Sequence, residues 1–212
     1  MSPRRARAVQ GHSDPDPARA LRQHLIDVTQ RLLQSRGLAG LTIREIARTA
    51  DVSDGALYNH FSDKDDLIIA ALTEQFALLA KTFRDAYPVP GAATLEENLT
   101  VLARACVAFQ VSAMPLITGL LGRPDLLHRL FDDLHAPGPM DMHGVFDAIT
   151  QYIVDEQERG RAAPDVDPQA VSGMLFGTCL NQTLALQLGQ LSPAEVDGGT
   201  AAAVEILVRG MR

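Results

Sequence analysis

Cysteine is scarce in these 212 residues: only Cys106 and Cys179 occur, far apart along the chain and in apolar surroundings. With neither a CxxC pair nor Cys/His ligand spacing, they indicate no disulfide framework and no zinc site, and both read as core thiols. Long hydrophobic runs are lacking too. The longest apolar stretches fall short of the roughly 18 residues that suggest a membrane span, and the basic N-terminus has no apolar stretch behind it. A soluble, cytoplasmic chain without a membrane partner is therefore expected. Nothing alternates with the period of a strand. A Gly-rich phosphate loop, a GxSxG elbow and a paired acid/base carboxylate constellation are all missing, so no catalytic residue and no cofactor is expected. His128, Asp132 and His135 share one helix face, but two histidines seven apart without a compact third ligand read as a solvated edge, not a metal site. The acidic face of Asp155, Glu156 and Glu158 reads as solvated as well.

What is present is a chain 46% hydrophobic, enough to bury a sizeable core in one large domain or in a small one joined to a larger. Its net charge of −7 is unevenly spread: residues 1–64 carry ten Lys/Arg against seven Asp/Glu, and residues 65–212 carry nine against nineteen. That is a small basic head on an acidic body, and only the head suits a polyanion.

Helix punctuation organises the rest. Residues 1–16 form a basic, Pro- and Asp-rich tail without apolar pattern, expected to be disordered. Asp16 and Pro17 then read as N-cap and first helical residue, Leu21, Leu25, Val28 and Leu32 as one apolar face, and Gly37 as the stop. Thr42 and Glu45 form a capping box with Leu41 and Ile46 as a hydrophobic staple, opening a helix that reaches about Ala50. Asp51 and Val52 interrupt, Ser53 caps a third helix, and Ser62 caps a fourth that runs to the "YPVPG" break at 87–91. Further on, Thr94 and Glu97 open a helix to about Ala113, "GRPDLLHRLFDDLH" gives a shorter one, and Pro139 to Arg159 a long one. Asp167 with Pro168, and Ser192 with Pro193 and Glu195, open the last two. The expected fold is all-α with about nine helices: an N-terminal three-helix helix-turn-helix domain over 17–63, a connecting helix over 64–86, and a larger C-terminal helical bundle over 87–212.

The third helix, "SDGALYNHF", is a poor helix by propensity. Ile43, Ile46, Ala47, Ala50, Val52, Leu57 and Phe61 are the expected inward set. Ser53, Asp54, Gly55, Tyr58, Asn59 and His60 are left outward, presenting hydroxyl, amide and imidazole groups that can bond phosphates and base edges. Gly55 lets a backbone approach another molecule closely. Lys64 opposes the dipole of the helix it opens, yet with the backbone N–H groups there it could hold a phosphate.

Residues 42–67, "TIREIARTADVSDGALYNHFSDKDDL", resemble the signature of the TetR family of bacterial transcriptional regulators, including Leu-Tyr-x-His-Phe followed by Lys three residues on. The match is specific within about 17–72; the remainder is similar only in length and helical content. The resemblance implies that Thr42, Tyr58, His60 and Lys64 contact phosphates and that Ser53, Asp54, Gly55, Ala56 and Asn59 face bases or nearby backbone. Arg44 and Arg48, with Arg4, Arg5 and Arg7 of the tail, would add to affinity for double-stranded DNA. Asp51 stands where the family usually has Gly, and Asp54 must accept from a cytosine amino group or repel the duplex.

Gly173 and Gly177, four apart, and the small residues of the last helix permit close helix approach, within one subunit or between two. The resemblance implies a homodimer through the last two helices, for which Gly173, Gly177, Leu180, Leu184, Ala202 and Ile206 are the candidates. It also implies a small-molecule effector in a cavity of the body, for which the candidates are Cys106, Gln110, Met114, His143, Phe146, Thr178, Asn181 and Gln182. The functional expectation is a ligand-responsive repressor, released from a palindromic operator by a small hydrophobic or aromatic ligand. The alternative is an all-helical carrier or enzyme with a vestigial helix-turn-helix.

Overall fold

The computed structural model describes residues 16–38, 40–135 and 143–211, with the side chains of His135 and His143 left aside. Among them it is all-α, with nine helices and no strand: α1 (Pro17–Arg36), α2 (Ile43–Thr49), α3 (Asp54–Tyr58), α4 (Lys64–Asp85), α5 (Leu95–Leu120), α6 (Pro124–His135), α7 (His143–Glu158), α8 (Pro168–Gln187) and α9 (Pro193–Gly210). The expected class and helix number are what the structure shows. The tail, with Arg4, Arg5 and Arg7, and the helix start expected at Pro139 lie outside the described residues.

Most helices begin where their caps are. The Asp16 carboxylate accepts from the Ala18 N–H at 3.0 Å and that of Asp167 from the Gln169 N–H at 2.9 Å, each ahead of a proline whose missing N–H needs no partner. At α9 the Ser192 hydroxyl accepts from the Glu195 N–H while the Glu195 carboxylate accepts from the Ser192 N–H. Thr94 and Glu97 repeat the exchange at α5.

Four local expectations need correction. The box at α2 is half made: Thr42 accepts from the Glu45 N–H at 3.2 Å, but the Glu45 carboxylate goes to Arg36 instead. The cap of α4 is Asp63, whose Oδ1 accepts from the Asp66 N–H at 2.7 Å, and Ser62 serves the return bonds by donating to Asp66. The α2 and α3 helices are shorter than the stretches read as helix, Thr42 to about Ala50 and Ser53 to Phe61, at seven and five residues. Finally, α5 does not stop near Ala113 but continues through Pro115 to Leu120, because Ala113 and Leu120 still have apolar faces to bury. At 26 residues it is long and apolar enough, by length and composition, to cross a membrane, contrary to the reading that no stretch is. Its buried Leu99, Leu102, Ala103 and Cys106 are instead core residues.

The chain divides into two compact units, Met1–Gln75 with Leu116–Asp133, and Phe76–Pro115 with Leu134–Arg212. In the first, Leu25, Ile26, Val28 and Leu32 of α1 are buried, as are Ile46, Ala47, Leu57, Phe61, Leu67 and Ile68. Polar bonds add register: Gln30 donates to the Ala71 carbonyl at 3.0 Å and Gln23 to Glu74 at 2.7 Å, tying α1 to α4. The guanidinium of Arg22 lies 4.9 Å from the centre of the Phe61 ring. The inward set expected around the turn is buried except for Ile43 and Val52, which are half-buried.

In the second unit the core joins α5, α7, α8 and α9 through Leu102, Cys106, Ile149, Tyr152, Ile153, Leu175, Cys179, Val204 and Val208. Both cysteines are free and buried. They meet: a hydrogen bond with Cys179 and burial push the Cys106 thiol up, so Cys106 stays a protonated core thiol at neutral pH. Glu156 corrects the solvated reading of its face. It is fully buried, accepting from the Tyr152 hydroxyl at 2.6 Å and the Gly91 N–H at 3.1 Å, with Arg161 Nε 2.9 Å from its other oxygen. An acid buried this way is tolerable because Oε1 takes two hydrogen bonds and the Arg161 guanidinium offsets the charge at Oε2, which itself accepts no hydrogen bond.

Between α2 and α3 the turn is a Schellman motif: the Val52 N–H donates to the Ala47 carbonyl and the Asp51 N–H to that of Arg48, with Asp51 at φ 55°. The ends of α7 and α8 repeat the pattern with Gly160 and Gly189, both at φ 69°. Asp51 is thus the one side chain, among the described residues, held in the left-handed region. Substitution Asp51→Gly is expected to stabilise the protein by ~0.5–1 kcal/mol, the relieved strain exceeding the added freedom of the unfolded chain, read as a raised urea midpoint at unchanged m.

Candidate nucleic-acid interface

The α3 helix is short because its cap and its end are close. The Ser53 hydroxyl accepts from the Ala56 N–H at 3.2 Å, and the chain leaves the helix at Asn59. Leu57 is fully buried and Phe61 nearly so, which anchors one side of α3 and turns the other outward. Ser53, Asp54, Gly55, Tyr58 and Asn59 are exposed, and Ala56 and His60 half-buried. Tyr58 is 55% exposed, an unusual amount for an aromatic side chain with a core beneath it.

Around α3 the other candidates gather at the start of α2. Thr42 is exposed and uses its oxygen as the cap of α2, so its hydroxyl proton is left to donate outward. Lys64 is half-buried, and its Nζ donates to the carbonyl of Leu41, the residue before Thr42, at 3.3 Å. That bond uses one of three ammonium protons and brings the charge beside the uncapped N–H groups of α2, a linkage the sequence did not reveal. Arg44 and Arg48, both exposed on α2, extend the cationic side. Behind this surface Arg123 bridges Asp65 at 2.8 Å and Asp125 at 2.9 Å, fastening the start of α6 to the first turn of α4 one residue after Lys64.

A short helix with an exposed hydrogen-bonding face, joined by a tight turn to a partner helix, is a helix-turn-helix. The profile of the family described as bacterial regulatory proteins, tetR family, matches residues 25–71, the region from mid-α1 into α4. That stretch is a helix-turn-helix region of the TetR type. Over 188 residues, 88% of this chain and 82% of the relative, it is 26% identical to the transcriptional repressor KstR of Rhodococcus jostii. The fold matches that of a candidate TetR-family regulator from Mesorhizobium loti with a TM-score of 0.76 over 92% of this chain and 98% of that one, at 19% identity. It also matches FadR of Bacillus subtilis, solved in complex with stearoyl-CoA, with a TM-score of 0.60 over 90% and 99% of the two chains, at 18% identity. With a helix-turn-helix that this profile matches, the chain is a DNA-binding transcriptional regulator.

The candidates in its second unit are dispersed. Gln110 is buried and bonded at both ends of its amide: it donates to the Phe176 carbonyl at 3.3 Å and accepts from the Thr183 hydroxyl at 3.3 Å. Thr178 is half-buried and turned back onto the Met174 carbonyl at 2.8 Å, while Asn181 is exposed. Met114 and Phe146 are half-buried, the latter edge-on to Phe176 with ring centres 6.3 Å apart. Cys106 is buried, and the side chain of His143 lies outside the described residues. Gln182 packs against Gly199, where an added Cβ would stand 2.4 Å from its Nε2, so that glycine has a reason within one subunit. Gly173, Gly177, Leu180, Leu184, Ala202 and Ile206 are all exposed.

Proposed function

We propose that the protein is a homodimeric repressor that releases a palindromic operator when a small hydrophobic ligand binds. In this reading residues 17–63 bind DNA, with Thr42, Tyr58, His60 and Lys64 on phosphates and Ser53, Asp54, Gly55, Ala56 and Asn59 on or near bases. Helix α4 connects, and residues 87–212 dimerise and sense. The observation that carries the DNA-binding part is the exposed Tyr58 on a helix whose other side is sealed by Leu57 and Phe61. The repressor sense is supported by the name of KstR. For the ligand, FadR demonstrates that this fold can hold a long-chain acyl thioester.

Dimerisation is supported by an unpartnered apolar face. Met174, Leu188 and Ile206 are 59%, 62% and 68% exposed, and Leu184 is exposed with them. A monomer in water seldom leaves that many large aliphatic side chains along one helix pair uncovered. Two half-sites one helical turn apart on a duplex then match a two-fold protein.

Electrophoretic shifts of the DNA upstream of the gene itself, with and without a panel of fatty acids, acyl-CoA thioesters, sterols and small aromatics, test the sensing step. At least one member is expected to weaken binding tenfold or more, each tenfold requiring a ligand preference of about 1.4 kcal/mol for the released conformation. Tight operator binding that no member weakens would count against a ligand-released repressor.

A further inference from the structure

One pocket in the second unit belongs neither to the DNA-binding surface nor to the expected effector cavity. It has a volume of about 220 Å³ and is lined by Arg104, Val107 and Ala108 of α5, Leu186 of α8, and Pro193, Val196, Asp197 and Thr200 of α9. At about 100° per residue, Arg104 and Ala108 lie on the side of α5 opposite Cys106 and Gln110, with Val107 between the two sides. By the same geometry, Leu186 faces away from Leu184 and Leu188, and Thr200 away from Ala202 and Ile206. A dimer through the exposed apolar face would leave the pocket open.

Its chemistry is specific. The walls are aliphatic, through Val107, Ala108, Leu186, Pro193 and Val196. At the rim Arg104 and Asp197 form a two-bond ion pair, Nε to Oδ1 at 2.6 Å and Nη2 to Oδ2 at 3.0 Å, with both side chains about half exposed. Thr200 is 2% exposed, and its hydroxyl has no hydrogen-bond partner among the described residues. A buried hydroxyl without a partner is costly, and a helical threonine would ordinarily turn it onto the carbonyl four residues back, as Thr178 does. We propose that this pocket is a second small-molecule site, taking a neutral, compact, largely apolar molecule with one hydrogen-bonding group that meets Thr200. The volume fits one ring system and is too small for a long acyl chain. A carboxylate is disfavoured because it would face Asp197 or have to displace it from Arg104. The closed ion pair covers a neutral guest without being broken.

Indole is a suitable probe, since its N–H can donate to the Thr200 hydroxyl and the protein contains no tryptophan to obscure its emission. Titrating the full chain into indole, excited beyond tyrosine absorption, is expected to give saturable binding with a Kd on the order of 1 mM or tighter. Ala108→Leu fills the pocket from an exposed position and is expected to abolish binding. Thr200→Val keeps the shape, removes the unpaired hydroxyl, and should weaken binding about 3–10-fold with no loss of thermal stability. No saturation at concentrations up to about 10 mM, ten times the expected Kd, or binding indifferent to Ala108→Leu, overturns the site; indifference to Thr200→Val overturns the hydroxyl as its recognising group. Because no DNA enters the measurement, its outcome is separate from that of the repressor reading.

Discussion

Replacing Tyr58 and Lys64 together with alanine is expected to lower operator affinity by at least about 100-fold while leaving the helical content and cooperative unfolding of the protein in place. Tyr58 contributes little to the fold because more than half of it is in water and Leu57 and Phe61 do the anchoring. Lys64 contributes somewhat more through its bond to the Leu41 carbonyl, about 0.5–1.5 kcal/mol for a hydrogen bond of this kind. On DNA the balance reverses. The Tyr58 hydroxyl and Lys64 ammonium would each meet a phosphate, and a dimer loses both twice. Removing the lysines should also reduce the slope of log affinity against log salt by about two, close to 0.9 for each phosphate that is no longer neutralised. Tyr58→Phe separates the roles: it keeps the ring and should lose only the hydroxyl's share, a few-fold. An unchanged salt slope in the double variant would mean that DNA docks elsewhere.

Why this surface was legible in the sequence, and the interior of the body was not, follows from the range of the interactions. Ser53, Asp63 and Thr42 cap helices with N–H groups three residues away, so a window of a few residues contains both partners. Asp51 stood out for the same reason: a tight turn between two apolar-patterned helices requires a left-handed residue, and the structure holds it at φ 55°. Reading such windows also erred, as when Asp63 and not Ser62 capped α4, and when Arg36, nine residues away, took the Glu45 carboxylate from its box.

Gln110 is the opposite case. A polar residue on an apolar face signals either a ligand contact or an internal bond, and what decides is the Phe176 carbonyl and Thr183 hydroxyl, more than sixty residues on. Glu156 and the Cys106–Cys179 contact have the same character, since Gly91 and Cys179 reach them only through packing. The Thr200 pocket had no local signal at all: its walls come from three helices, and the sequence around each is ordinary amphipathic helix.

The second large effect is expected from Leu184→Glu combined with Ile206→Glu. Both side chains are exposed in the single chain, 45% and 68%, so a glutamate at either position is solvated there and the isolated fold should survive. In the proposed dimer the same positions are covered by a second α8–α9 pair, and two substitutions per protomer place four carboxylates where aliphatic groups had been. Losing even ~1 kcal/mol of burial at each of four sites, below the usual 1.5–3 for a fully buried Leu or Ile, weakens the dimer about 1,000-fold before any charge repulsion. Sedimentation at micromolar concentration should then report a monomer with unchanged far-ultraviolet dichroism. Operator binding should collapse with it although every DNA-facing residue is intact, because each half-site is then engaged alone and the linkage that makes the second contact intramolecular is gone. A double variant that remains dimeric would place the association surface away from α8 and α9. One that becomes monomeric yet binds the full operator as tightly as before would remove the two-fold arrangement from the account of recognition.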